Sequence, residues 1–151
     1  MLTTALFPVT HGYLTCKPVA DNFSQQSPTG LQLAVLHGFV YPEINAIRVS
    51  NALKLVEVNS YQQGFELARL KRVDGFVEMS IRLRYHLDQM DSPASCLTLE
   101  DFSQVIPPLE IRLTSNAPAD HPLRLLLEQR ITDMKKTGEI DRIVESYAPN
   151  H

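Results

Sequence analysis

The order of apolar and polar segments predicts an α/β fold, a small and mainly parallel sheet flanked by helices, followed by a carboxyl-terminal helical pair. Three observations carry this reading. Short apolar runs at 31–36, 53–58 and 73–77 are continuous enough to be strands buried on both faces. Segments with helical spacing separate them, which gives a β-α-β-α-β-α order with short connections. From residue 121 the pattern turns wholly helical, with a break at Thr137-Gly138.

Residues 12–17 read as a first strand, closed by Pro18 and followed by a polar stretch from Asp21 to Gly30. Leu33, Ala34, Val35 and Leu36 give the next strand its apolar character, and it ends at His37-Gly38. Pro42 suits the first turn of a helix that runs to about Asn51, with Ile44, Ile47 and Val49 inward. After the 53–58 strand, Ser60 is a good N-cap for a helix through Leu70, where Tyr61, Phe65 and Ala68 share a side. The 73–77 strand leads into a helix over 80–90, and a less regular segment with Pro93, Pro107 and Pro108 holds one short strand near 96–99.

Residues 109–113 read as an extended strand. If it lies beside the segment leading in at Gly12, the two act as hinge strands. In the following helix Leu123, Leu127, Ile131 and Met134 fall at i, i+4, i+8 and i+11, and in the last Ile140, Ile143, Val144 and Tyr147 fall at i, i+3, i+4 and i+7. Gly138 stops the first of these helices, and Lys135 and Lys136 answer the negative end of its dipole.

The chain has 151 residues, 44% of them hydrophobic, which is enough for one domain with a real core. Seventeen acidic against 14 basic residues, a net charge of −3 and basic runs no longer than two exclude a nucleic-acid or anionic-membrane footprint. No apolar run approaches the roughly 18–20 residues of a membrane-spanning helix. Residues 1–9 lack the charged start and apolar middle of a secretory signal, so the chain as written is expected to stay in the cytoplasm if Met1 is the true start.

Cys16 and Cys96 lack C-x-x-C spacing and are read as two half-buried small residues in preference to a disulfide. The five histidines share no metal-ligand spacing, and no nucleophile-elbow, zinc-protease or phosphate-loop motif is present. No catalytic residue, metal or cofactor is expected.

The ending Met134-Lys-Lys-Thr-Gly-Glu-Ile-Asp-Arg-Ile143 resembles that of bacterial extracellular solute-binding proteins of the type 2 periplasmic-binding fold. Phe7-Pro8 with residues 12–17 is similar to the family's approach to its second lobe, Leu33 to Gly38 to its strand and glycine turn, and Arg72-Val73-Asp74 to its most specific internal motif. The match covers the second lobe and terminal helices only. The resemblance implies a second-lobe α/β domain over 1–114 and a helical tail over 115–151, a small polar solute as ligand, a membrane transporter as partner of the intact protein, and a periplasmic location.

In the family, ligands lie at the carboxyl ends of the strands, and this lobe offers two places. The first is the turn Gly38-Phe39-Val40-Tyr41, where amides at a helix start attract an anion; Phe39 stands where relatives often carry Thr or Ser. The same residues also suit a plain turn packed on the core. The second follows Asp74, where amino-acid-binding relatives carry an acid five positions on. Here that position is Met79, and Glu78 beside it points to the other face of a strand. The candidate ligand-binding residues are therefore Gly38, Phe39, Tyr41, Glu78 and Met79. Asp74 is read as fixing a turn, and Arg82 and Arg84 as solvated surface. The helical stripes lead to an expected homodimer. A different class of function, a lone lobe that acts as an interaction protein and binds no ligand, is the alternative.

Overall fold

A computed structural model describes residues 4–17, 30–51, 53–90 and 95–147, apart from the side chains of residues 47 and 49–51. The polar stretch before Gly30, the inward positions Ile47 and Val49, and Pro93 lie outside it. Two compact units divide the chain: Thr10–Pro107, and Met1–Val9 together with Pro108–His151.

The first unit is a five-stranded sheet with helices. Its strands are β2 (His11–Thr15), β3 (Gln32–Leu36), β4 (Lys54–Val58), β5 (Gly75–Met79) and β6 (Thr98–Asp101), in the order β4-β3-β5-β2-β6. β3 pairs in parallel with β4 and β5, whereas β2 pairs antiparallel with β5 and β6. The sheet is thus mixed. Its parallel part is the run of strands joined by helices, and the antiparallel part is added by the strands that open and close the unit.

Both faces are buried with a period of two, as the continuous apolar runs require. Tyr13, Leu33, Val35 and Val77 point to one side, with Ile44 of α1 (Pro42–Asn51), Phe102 and Ile106. Leu14, Ala34, Leu36, Val58 and Phe76 point to the other, against Phe65 and Ala68 of α2 (Tyr61–Arg69) and Leu83 of α3 (Ser80–Asp88).

Local chemistry sets the helix ends. Ser60 Oγ accepts from Gln63 N at 3.2 Å and caps α2. At its far end Lys71 N donates to Ala68 O and Arg72 N to Leu67 O, the double bond pattern of a left-handed helix stop, with Lys71 at φ 56°. Asp74 fixes the start of β5: its Oδ2 accepts from Gln32 N at 2.7 Å and its Oδ1 from Lys17 Nζ at 2.6 Å.

Cys16 and Cys96, expected as separate thiols, form a disulfide with Cα atoms 4.8 Å apart. The register explains the correction. Thr15 of β2 lies opposite Thr98 of β6, so residues 80 apart in sequence meet just past the end of that ladder.

The second unit holds β1 (Phe7–Val9) and β7 (Leu109–Ile111), paired antiparallel, with α4 (Pro122–Lys136) and α5 (Glu139–Tyr147). Packing groups β1 and β7, both within residues 1–114, with the terminal helices. Ile131 and Ile140 are buried, with Leu6, Phe7, Leu127, Met134 and Val144 against them, and Lys135 Nζ donates to Ala5 O at 2.8 Å. His121 caps α4 by accepting from Leu123 N, and Gly138, at φ 68°, ends it.

Candidate functional site

The carboxyl ends of β3 and β5 carry the predicted residues. After β3 the chain turns at Gly38, whose φ of 82° is left-handed; an added Cβ there would meet open space, so the backbone angle is the constraint. The turn leaves Phe39 43% exposed and sends Tyr41 inward to 7% exposure. α1 then starts, with Pro42 at a position where a missing N–H costs nothing and Glu43 favourable to the helix dipole.

β5 ends in Glu78 and Met79. Glu78 is fully buried, and its Oε1 accepts from Met79 N at 2.8 Å. Met79 is half-buried and opens α3. Next, Ser80 N donates to Thr10 O at 2.8 Å, and the first turn of α3 then presents Arg82. Arg82 Nη1 lies 3.7 Å from Glu78 Oε1, and its guanidinium sits 5.5 Å from the centre of the Phe39 ring. A guanidinium over an aromatic face is attracted by the ring quadrupole. Tyr61, at the start of α2, interacts with both Glu78 and Arg82 and stacks on His86 with centroids 3.7 Å apart.

The site is electrostatically tense. Burial pushes the Glu78 carboxyl above the ordinary carboxylate range, opposed by the Met79 N–H, Arg82 and Tyr61. Burial, and after it the negative charge of Glu78, raises the Tyr41 hydroxyl. His11, whose ring meets Tyr41 edge-on at 5.7 Å, is lowered by burial, against the pull of Glu43. Glu78 Oε2, Tyr41 Oη and His11 Nδ1 are buried without a hydrogen-bond partner. Each such group is costly in a packed interior, and strain of this kind concentrates at functional sites.

The structure brings Phe39, Tyr41 and Glu78 into one cluster and adds Arg82, expected as solvated surface but set against Glu78 and Phe39, together with Tyr61 and His11, which were not among the expected site residues. Arg82 stands four residues after Glu78, but Glu78 belongs to β5, so no helix-face spacing announces the pair. Among the described residues no group of His, Cys, Asp and Glu could hold a metal ion, and no helix is long and apolar enough to cross a membrane. Two open surface depressions, of about 370 and 550 Å³, lie elsewhere, along α2 and β4.

No protein-family model matches the chain, and no curated protein matches it in sequence. Solved structures do. The GluR0 ligand-binding core in complex with L-glutamate is 16% identical, with a TM-score of 0.71, over 97% of this chain and 63% of that one. The substrate-binding protein of an amino acid ABC transporter gives 14% and 0.65 over 95% and 61%. AbpA from Streptococcus pneumoniae Canada MDR_19A, an amino acid ABC transporter substrate-binding protein bound to L-arginine, gives 13% and 0.64 over 97% and 60%. The chain has the type 2 periplasmic-binding, or Venus flytrap, fold and spans about six-tenths of the length of these chains.

Proposed function

We propose that the chain is a non-enzymatic solute-binding protein that takes a small polar solute at the carboxyl ends of β3 and β5, through Gly38, Phe39, Tyr41, Glu78 and Met79. The observation that carries this is the convergence there of a left-handed glycine turn, an exposed aromatic ring under a guanidinium and a buried acid with an unpartnered oxygen. Open α/β sheets bind ligands at this end. The likeness to amino-acid-binding proteins supports the same reading. In it the intact protein hands its solute to a membrane transporter in the periplasm, and the Cys16–Cys96 disulfide suits that oxidising compartment.

A second reading is favoured by the other unit. Leu123, Leu125, Leu126, Ile143 and Tyr147 of the terminal helices are exposed. A patch of this kind marks an interaction surface, and the homodimer or lone-lobe interaction protein belongs to this reading.

Thermal-shift screening against amino acids, polyamines and small carboxylates at tens of millimolar tests the first reading, because a solute that binds only the native state raises its stability. A rise abolished by Gly38→Val is expected. The one-sided site encloses less of a solute than the usual roughly 70–90%, so affinity is expected to be weak. Binding tighter than micromolar contradicts the one-sided site, and no response to any solute contradicts solute binding.

A further inference from the structure

Resting on that reading, we infer that the solute is a small carboxylate anion with no required ammonium group, and that Arg82, spread over Phe39, is the residue that recognises it. The charge a solute meets at this end decides the matter. Glu78 is no open anchor for an ammonium group: it is fully buried, its Oε1 is engaged by Met79 N and faced by Arg82, and Met79 occupies the next position. Glu57, near the same strand ends, is held by His37 Nδ1 at 2.7 Å. Asp101, which closes β6 at the same end of the sheet, accepts from Ser103 N and Oγ. Glu43 lies in the first turn of α1, where it answers the helix dipole and the buried His11.

Arg82 is different. Its side chain is 44% exposed, with Nη1 3.7 Å from Glu78 Oε1 and Tyr61 interacting beside it. A guanidinium has five N–H donors in a planar fork that matches a carboxylate bidentately. With the Phe39 ring 5.5 Å from its centre and Glu78 against one nitrogen, the fork is held in place before a ligand arrives. A pre-oriented fork loses less freedom on binding than a free arginine does. The exposed ring beside it covers the apolar carbons of a short-chain acid. An ammonium group brought to this shelf would face the guanidinium's own charge.

Backbone amide spectra of the ¹⁵N-labelled chain, titrated with succinate and with 1,4-diaminobutane, separate the outcomes, since these probes match in length and oppose in charge. Succinate is expected to give saturable shifts in residues 37–41 and 78–82, weakened about tenfold by Arg82→Gln, as loss of a charge-assisted hydrogen bond implies, and partly restored in Arg82→Lys. The spectra themselves show whether each variant folds. Saturable shifts from 1,4-diaminobutane at those residues, or succinate binding unchanged in Arg82→Gln, overturn this inference while leaving solute binding intact. Silence from both probes, together with no thermal response to any solute, overturns the reading on which it rests.

Discussion

Leu83 of α3 has no exposed surface, whereas Leu126 of α4 is 64% exposed. The two helices follow the same amphipathic rule, so the difference lies in what each has to lie upon. In the α/β unit a five-stranded sheet offers two apolar faces, and α1, α2 and α3 cover them. In the other unit the sheet is a two-stranded ribbon of three residues a side. Such a ribbon shields Ile131 and Ile140 but is too small to shield the rest. An apolar stripe specifies burial only where there is area to bury it, and each uncovered leucine forgoes about 1.5–3 kcal/mol. The expected stripe of Leu123, Leu127, Ile131 and Met134 is therefore split: its carboxyl-terminal part packs with Leu6 and Phe7 and the last helix, and Leu123 is left exposed beside Leu125 and Leu126.

Four measurements sharpen or break this contrast. The largest effect belongs to the Cys16–Cys96 bond, which closes a separation of 80 residues inside the α/β unit. Reduction, or Cys16→Ser with Cys96→Ser, is expected to cost about 2–5 kcal/mol in guanidinium melts. Melts indifferent to reductant would remove the bond from the account. Next, Leu83→Ala is expected to cost about 2–5 kcal/mol, whereas Leu126→Ala stays within about 0.5 kcal/mol in dilute protein. Equal losses would mean that α4 is covered after all.

Third, Glu78→Gln tests the buried acid through pH. A carboxyl whose folded value is raised above its ordinary 4.5 contributes stability that is present below that value and lost as pH rises through the folded one. The variant lacks that loss, so it should melt above the parent at pH 7 and close to it at pH 4. His11 acts in the opposite sense in both proteins and cancels from the difference. A variant destabilised at pH 7 would show that Arg82 and Met79 N more than offset the burial. The smallest effect compares two helix stops. Gly138 takes the left-handed position freely, but Lys71 takes it at φ 56° with a side chain. Lys71→Gly is expected to stabilise by up to about 1 kcal/mol, and a destabilised variant would show that the lysine side chain contributes there.

Much of the fold was legible because its signals are local. Ser60 caps α2, Pro42 opens α1, and the apolar runs lie where buried strands lie. What escaped depends on partners distant in sequence. The antiparallel placement of β2 follows from its insertion between β5 and β6, which no periodicity within residues 12–17 encodes. The disulfide follows from that placement. Arg82 escaped for a related reason: its partner Glu78 ends a strand and its ring Phe39 belongs to a turn some forty residues earlier, so a search along one helix face finds neither. Phe39, Tyr41 and Glu78 could be grouped from the sequence because the ends of parallel strands are a place set by topology.

The two proposed readings together make a division of labour, with solute chemistry proposed for the α/β unit and association for the terminal helices. Amide hydrogen exchange of the full chain, measured with and without succinate and at two protein concentrations, tests it most directly. Succinate is expected to slow exchange around residues 37–41 and 78–82 alone, and higher concentration to slow it over 123–147 alone. Protection of the helices by succinate, or of the β3 and β5 ends by concentration, would contradict the account.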